Sequence, residues 1–168
     1  YVAEGSRFSL KNKQIGFSLG SSESENVTRV CYLVGKCFGL KTRVIAEKNV
    51  CRIVMTSKVL LRALPSMFGA SSCEKRAPAF IMESKEYIAR AFLRGYIDGD
   101  GTSYPNANGQ FNVSTCSPIL ARQLIQLFMK TGIVPGCLDV EPQENRKGII
   151  PRNGKQYRLS WTEGKATH

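Results

Sequence analysis

The sequence predicts an α+β fold made of two similar halves, residues 1–83 and 84–168. Three observations carry this. A short alternating pattern occurs twice at a spacing of 96 residues, as Gln14-Ile15-Gly16-Phe17-Ser18 and Gln110-Phe111-Asn112-Val113-Ser114. Each copy leads into a segment of helical periodicity and then into more alternating segments. The composition, 42% apolar and 22% charged over 168 residues, suits a chain that buries a core without metal or disulfide support.

The elements follow in order. In both repeats polar and apolar residues alternate, so one strand face is core and the other presents Gln and Ser. In the first half, Ser22-x-x-Glu25 reads as a capping box for a helix with Val27, Val30, Cys31, Val34 and Phe38 on one face. Gly39 suits its C-cap. Lys41 and Arg43 then alternate with Thr42 and Val44 in a strand region, and Arg52 stands beside Ile53 in the next. Lys58 to Leu64 reads as a short apolar helix stopped by Pro65, and a polar loop holding Lys75 follows. Ser84 is placed to cap a helix with Tyr87, Ile88, Ala91, Phe92, Gly95 and Tyr96 along one side. In the second half Ser117 suits an N-cap and Pro118 the first helical position. Leu120, Leu124, Leu127 and Phe128 continue that helix and Gly132 ends it. Gln156, Arg158 and Ser160 share one face of a last strand, and Tyr157, Leu159 and Trp161 the other. Tyr157-Arg158-Leu159 is the counterpart of Cys51-Arg52-Ile53. The stretch from Glu141 to Gly154, polar with Pro and Gly, reads as a long hairpin loop. Each half is thus strand, strand, helix, strand, strand.

Charge narrows the function. Lys and Arg number 24 against 13 acids, a net charge of +11. That balance favours a polyanionic partner, nucleic acid above all. No run of about 18 uncharged apolar residues is present, which excludes a membrane span. The first residues lack the basic-then-apolar pattern of a secretory signal, so the expected location is cytoplasmic. The six cysteines form no C-x-x-C pair and the one histidine is residue 168, which leaves no zinc site. Most of the cysteines read as small buried apolar residues in a reducing compartment.

Two acids stand out. The helix before the second repeat ends Leu93-Arg94-Gly95-Tyr96-Ile97-Asp98-Gly99-Asp100-Gly101, and Glu4-Gly5 lies 96 residues before Asp100-Gly101. Gly95 and Gly99, four apart, would let another helix approach at backbone distance. A helix C-terminus disfavours negative charge, and two carboxylates placed there side by side repel. A divalent cation between them relieves both costs and makes a site suited to phosphodiester hydrolysis. The Asp98-Gly99-Asp100-Gly101 turn is not a calcium loop, because the positions that need Gly and Glu hold Ser103 and Gly109.

The stretch Leu93 to Gly101 resembles the motif of the LAGLIDADG homing endonucleases. Tyr1-Val2-Ala3-Glu4-Gly5 is similar to the second half of the first such motif, in the Glu-containing form found in intein-encoded enzymes. Cys73-Glu74-Lys75-Arg76-Ala77-Pro78-Ala79-Phe80 resembles the segment that carries the basic active-site residue, here Lys75. The resemblance implies pseudo-twofold tandem αββαββα repeats, a central interface of two motif helices, and two saddle-shaped antiparallel sheets over the DNA major groove. It implies that Glu4 and Asp100, with Gly5 and Gly101 beside them, hold Mg²⁺ at the scissile phosphates, and that Lys75 polarises water or stabilises the transition state. Both strands would be cut across the minor groove, leaving short 3′ overhangs. The first motif lacks its initial residues, and a second-half counterpart of Lys75 would fall beyond residue 168. The chain is therefore expected to be the endonuclease portion of a longer intein or host protein, acting as a monomeric pseudo-dimer on double-stranded DNA.

Candidate DNA contacts are the basic and amide residues of strands and turns: Arg7, Lys11, Lys13, Gln14, Lys41, Arg43, Arg52, Gln110, Asn112, Lys155 and Arg158. Phosphate contact is the commoner role for such residues, while Gln14, Gln110 and Arg158 are better placed for base edges. The competing function is a catalytically decayed nucleic-acid-binding module or RNA maturase, which would not need the two acids. A plain basic structural protein would leave both the repeat and the acids unexplained.

Overall fold

The computed structural model describes residues 1–3, 5–9, 13–102, 109–140 and 156–162, with 5–9, 139 and 140 described by their backbone alone. The chain divides into two compact units, Tyr1–Ala70 and Ser71–His168. Residues 71–83 thus fold with the second unit, and the division falls before the 83/84 boundary read from the sequence. The cause is local bonding of that segment to the helix that follows the second repeat, described below.

The first unit runs β1 (Gly5–Ser9), β2 (Gln14–Gly20), α1 (Ser24–Phe38), β3 (Arg43–Glu47), β4 (Val50–Thr56) and α2 (Lys58–Phe68). Its strands form one antiparallel sheet in the order β1-β2-β4-β3. Ile15, Phe17 and Leu19 of β2 and Ile53 and Met55 of β4 point to one side, as the alternation predicts, and bury against Val34 of α1 and Leu61 and Leu64 of α2.

The second unit holds a 3₁₀ turn at Ser72–Glu74, then α3 (Ala79–Met82), α4 (Glu86–Asp100), β5 (Gln110–Thr115), α5 (Pro118–Lys130), β6 (Gly136–Val140) and β7 (Gln156–Thr162). Its three strands pair antiparallel in the order β5-β7-β6. Val113 and Leu159 from the sheet and Leu120, Leu124, Leu127 and Phe128 from α5 are almost wholly buried. Trp161 closes this core, its ring 4.6 Å from that of Phe128 and 5.9 Å from that of Phe111.

The internal repeat is written into the strand register. Gln14 pairs with Thr56 and Ser18 with Arg52 in the first sheet; Gln110 pairs with Thr162 and Ser114 with Arg158 in the second. Arg52 and Arg158 are therefore true counterparts. Gly5 pairs with Phe17, and 96 residues on an isolated bridge joins Gly101 to Val113. That bridge occupies the place of a fourth strand in the second unit.

Several local expectations are corrected. The Ser22–Glu25 capping box does not form: α1 starts at Ser24 with Glu23 as N-cap and no side-chain cap bond. Glu23 instead accepts hydrogen bonds from the Gly20 N–H at 2.9 Å and from Asn26 Nδ2 at 3.2 Å, which ties the turn after β2. Phe38, expected on the buried face, is exposed at the last position of α1. Pro65 does not stop α2, which continues to Phe68. Phe68 packs on the first core and its ring lies 5.7 Å from that of Tyr1, contacts that offset the lost bond at Pro65. Ser84 does not cap α4; Lys85 is the N-cap, and the Ser84 hydroxyl donates to the Ile81 carbonyl at 2.6 Å. The buried face of α4 is Ala89, Leu93 and Tyr96, while Tyr87, Ala91 and Gly95 are exposed. Outside its own helix and chain neighbours, a Cβ on Gly95 would meet nothing within 4 Å among the described residues. Lys41 precedes β3 rather than alternating within it. No cysteine is buried: Cys31, Cys51 and Cys116 are half-buried and Cys37, Cys73 and Cys137 exposed. Glu141 to Gly154, read as a hairpin loop, lies outside the described residues, between the ends of β6 and β7.

Candidate active site and nucleic-acid interface

Helix α4 sets the acid. Tyr96 and Asp100 are four residues apart, so they share a helix face. Tyr96 belongs to the buried stripe with Ala89 and Leu93, which carries Asp100, the last helical residue, to the same side. The Tyr96 hydroxyl lies 3.1 Å from the Ser114 carbonyl oxygen and is also in hydrogen-bonding contact with Asp100, so its single proton is shared between the two acceptors. Gly101 then leaves the helix, its N–H donating to the Ile97 carbonyl at 2.8 Å. A Cβ on Gly101 would lie 2.6 Å from that carbonyl oxygen and 2.8 Å from Ile97 Cγ2. The chain can turn from Asp100 into the bridge with Val113 only with glycine here. Gly101→Ala is expected to cost about 1–3 kcal/mol through this clash, read as a lowered denaturant midpoint at constant m-value.

Lys75, in the segment before α3, carries a charge that acts on Asp100 from outside the helix. Although it stands in a polar segment, Lys75 is only 6% exposed. Two devices from α5 hold its backbone. The Ser117 hydroxyl donates to the Lys75 carbonyl at 2.6 Å while accepting from the Leu120 N–H at 3.1 Å, so the N-cap of α5 is also the anchor of the Lys75 turn. Gln123 grips Ala77 with both ends of its amide: the Ala77 N–H donates to Oε1 at 2.8 Å and Nε2 donates to the Ala77 carbonyl at 2.9 Å. Ser117→Ala removes the cap and leaves the Lys75 carbonyl without its donor, an expected loss of about 2–4 kcal/mol. Thermal unfolding of that variant beside Gln123→Ala, which loosens the same turn without touching the cap, separates the two contributions.

The electrostatics fit the geometry. Asp100 is exposed as a residue, but partial loss of water around its carboxyl pushes it up to about 6, against the opposing effects of the Tyr96 hydrogen bond and the Lys75 charge. Burial pulls the Lys75 ammonium down to about 8, against the attraction of Asp100. Burial, and then the charge of Asp100, raise the Tyr96 phenol. A carboxylate and an amine of opposite charge, both with ionisation drawn toward neutrality, mark the end of α4 as a chemical site. Asp98, two residues earlier, is bonded instead to Arg94 Nε at 3.0 Å.

The sheet faces opposite the cores gather most of the predicted contacts. In the first sheet Gln14, Ser18, Arg52 and Thr56 lie on the side away from Ile15, Phe17 and Ile53, and the register places Arg43 on the same rows, opposite Val54, while the backbone of Arg7 pairs with Gly16. In the second, Gln110, Asn112, Ser114, Arg158, Ser160 and Thr162 share the corresponding side. The hydroxyl residues of these rows were not singled out from the sequence, although their alternation with the core residues identifies them. Arg52 is held by Glu47 at 3.0 Å, whereas Arg158 stands opposite Leu138. Lys13, at the β1–β2 turn with φ of 53°, and Lys41, before β3, are exposed beyond the strand rows. Glu4, Lys11 and Lys155 lie outside the described residues. Among the described residues no group of three or more His, Cys, Asp or Glu gathers to hold a metal ion. No helix of the described residues is long and apolar enough to cross a membrane.

A family profile for a LAGLIDADG-like domain matches residues 88–160, from within α4 into β7. The DNA polymerase of Thermococcus litoralis is 34% identical over 136 residues, 79% of this chain and 8% of that protein. The DNA polymerase of Thermococcus aggregans is 35% identical over 136 residues, 79% of this chain and 7% of that protein. The chain thus spans less than a tenth of these relatives. A structure of mesophilic variants of the homing endonuclease I-DmoI superposes with a TM-score of 0.59 at 12% identity, covering 89% of this chain and 73% of that one. The N-terminal LAGLIDADG domain of DUF199/WhiA superposes with a TM-score of 0.55 at 14% identity, covering 96% of this chain and 70% of that one. I-DmoI has been crystallised with DNA and Ca, with DNA and Mn, and, as a variant, with its target DNA in the presence of Mg.

Proposed function

This chain belongs to the LAGLIDADG family, and from that premise we propose that it is a site-specific endonuclease acting on double-stranded DNA. The observation that carries this is the Lys75–Asp100 pair at the end of α4, in the unit whose sheet bears an outward row of Gln110, Asn112, Ser114 and Arg158. Since the relatives it matches are far longer, we read it as the endonuclease portion of an intein or similar host protein, working as one chain with two like halves.

Asp100, Gly101 and, from the first half, Glu4 and Gly5 are the proposed holders of Mg²⁺. The donor chemistry fits: Asp100 offers a hard carboxylate oxygen at a helix C-terminus, where added positive charge is favoured. When bound, the ion supplies Lewis-acid stabilisation of charge developing on the phosphate oxygens. The chain's own residues do the rest. Tyr96, whose one hydroxyl proton is shared between the Ser114 carbonyl and Asp100, orients the Asp100 carboxylate when that proton turns to it. Lys75, held out of water, accepts the proton of the attacking water as its neutral amine. Arg7, Lys11, Lys13, Lys41, Arg43, Arg52, Lys155 and Arg158 would fix the backbone of a long asymmetric target, with Gln14, Gln110 and Asn112 reading base edges.

The test uses the natural protein that carries this chain, with Mg²⁺ and a duplex in which the chain's own coding stretch has been removed from its parent gene. Mapping both strands should show one double-strand break at the former junction. Tight, salt-sensitive binding without a break would replace this reading with that of a decayed binding module. Arg158→Ala is expected to weaken binding and to reduce the slope of log affinity against log salt by about 1 if Arg158 meets a phosphate; an unchanged slope with relaxed specificity would make it a base reader.

A further inference from the structure

Two of the cysteines lie at the working end of the second unit. Cys73 belongs to the 3₁₀ turn two residues before Lys75 and is exposed. Cys116 links β5 to the N-cap Ser117 and is half-buried. Their side chains are in hydrogen-bonding contact. The segments that carry them are already fastened together, by the Ser117 hydroxyl on the Lys75 carbonyl at 2.6 Å and by the Gln123 amide on Ala77. All six cysteines, each among the described residues, are thiols.

We propose that Cys73 and Cys116 form a thiol–disulfide exchange site that takes small disulfides, such as oxidised glutathione, and that its closure shuts down the Lys75–Asp100 centre. The gating half of this rests on the endonuclease reading; the exchange chemistry does not. Cys73 is the sulfur an external disulfide meets first, because Cys116 is the less exposed and its thiol is pushed up by burial and by Cys73; Cys116 therefore serves as the slower, resolving sulfur. The Cys73 thiolate attacks one sulfur of the disulfide and releases one thiol, leaving a mixed disulfide on Cys73. The Cys116 thiolate then attacks the Cys73 sulfur and releases the second thiol. The protein loses two electrons and two protons, and the small disulfide is reduced to two thiols. A sulfur–sulfur bond is about 2.05 Å long, well inside hydrogen-bond contact, so closure draws the Cys73–Lys75 turn toward the β5–α5 junction. A displacement of about 1 Å in a catalytic group costs roughly a hundredfold in rate.

The experiment incubates the full protein with oxidised glutathione, blocks remaining thiols with an alkylating reagent, and maps the peptides by mass spectrometry. The other exposed cysteines, Cys37 and Cys137, are internal controls for simple glutathione addition. The expected result is a Cys73–Cys116 cross-linked peptide, a fall of about a hundredfold in cleavage, recovery on adding dithiothreitol, and a stable glutathione adduct on Cys73 in Cys116→Ser. Wild-type protein carrying glutathione on Cys73 and an alkylated Cys116 would overturn the exchange site. A cross-link with unchanged cleavage would overturn the gating. If the reduced protein cuts no DNA, the endonuclease reading has failed, and the peptide map alone decides whether the dithiol closes.

Discussion

Asp100→Asn is expected to lower cleavage by about a thousandfold or more while leaving duplex affinity within a few fold. The substitution keeps the size and hydrogen-bonding shape of the side chain, so the Tyr96 bond and the turn at Gly101 survive. What disappears is the negative charge. In the proposed site that charge holds a divalent ion, whose stabilisation of developing charge is worth several kcal/mol, or about a thousandfold per 4 kcal/mol. The same change should leave the fold intact or firmer. The Asp100 pKa is raised by loss of water, so its ionised form is disfavoured in the folded state. Sign follows: below the ordinary carboxylate range the group is neutral in both states and costs nothing; above about 6 it is ionised in both and opposes folding. Asn removes that opposition at neutral pH. Denaturant melts at pH 7.5 therefore separate lost chemistry from lost structure. A large loss of both stability and cleavage would assign Asp100 a structural role instead.

The sequence made the strands and their pairing partners legible because a half-buried strand leaves a period-two record. Ile15, Phe17 and Leu19 could sit on one face in only one way, and the 96-residue offset carried the same phase to Val113. The acid was legible for a similar reason: Asp100 sits at a helix end that its glycines announce. Lys75 was legible as a residue but not as an environment. Its burial depends on Ser117 and Gln123, 42 and 46 residues away along the chain from their partners Lys75 and Ala77, and no local pattern encodes such distances. Helix phase failed in α4 because Tyr87, Ile88, Phe92, Leu93 and Tyr96 offer apolar groups around much of the helix. Which stripe turns inward was decided by packing on α5 and β5, which buries Ala89, Leu93 and Tyr96. The start of α1 was not legible because Glu23 takes the N-cap position without a side-chain cap bond, its carboxylate tying the Gly20 N–H instead. The cysteines failed because residue type predicts average burial, whereas Cys73 and Cys116 are placed by the turns that contain them.

Lys75 gives the second large effect, and its charge state decides the sign. Lys75→Met is expected to reduce cleavage about a hundredfold to ten-thousandfold, the range of a lost general base. The informative variant is Lys75→Arg, which keeps the positive charge at every accessible pH. If Lys75 works as an ammonium, arginine should restore much of the rate. If it works as a neutral amine that accepts a proton, arginine should be as inactive as methionine, which is the outcome expected here. Burial already draws the amine down to about 8, and the Asp100 charge is what keeps it from falling further. Compensating that charge by a bound cation removes the support, so the neutral amine becomes abundant at mildly alkaline pH. Cleavage by wild type should therefore rise with pH as the Lys75 ammonium loses its proton and level off once the amine is neutral. Stability should respond through the same group. Below about 8 the amine is charged in both folded and unfolded states, and its burial opposes folding in full. As pH climbs from there toward the ordinary lysine value, the folded state releases its proton first and the opposition fades. Lys75→Met should thus be more stable than wild type at pH 7, with the difference narrowing by pH 10. A stable, inactive Met variant beside an inactive Arg variant would fix Lys75 as a base held in place at the expense of stability. An active Arg variant would move it to the stabilisation of developing charge.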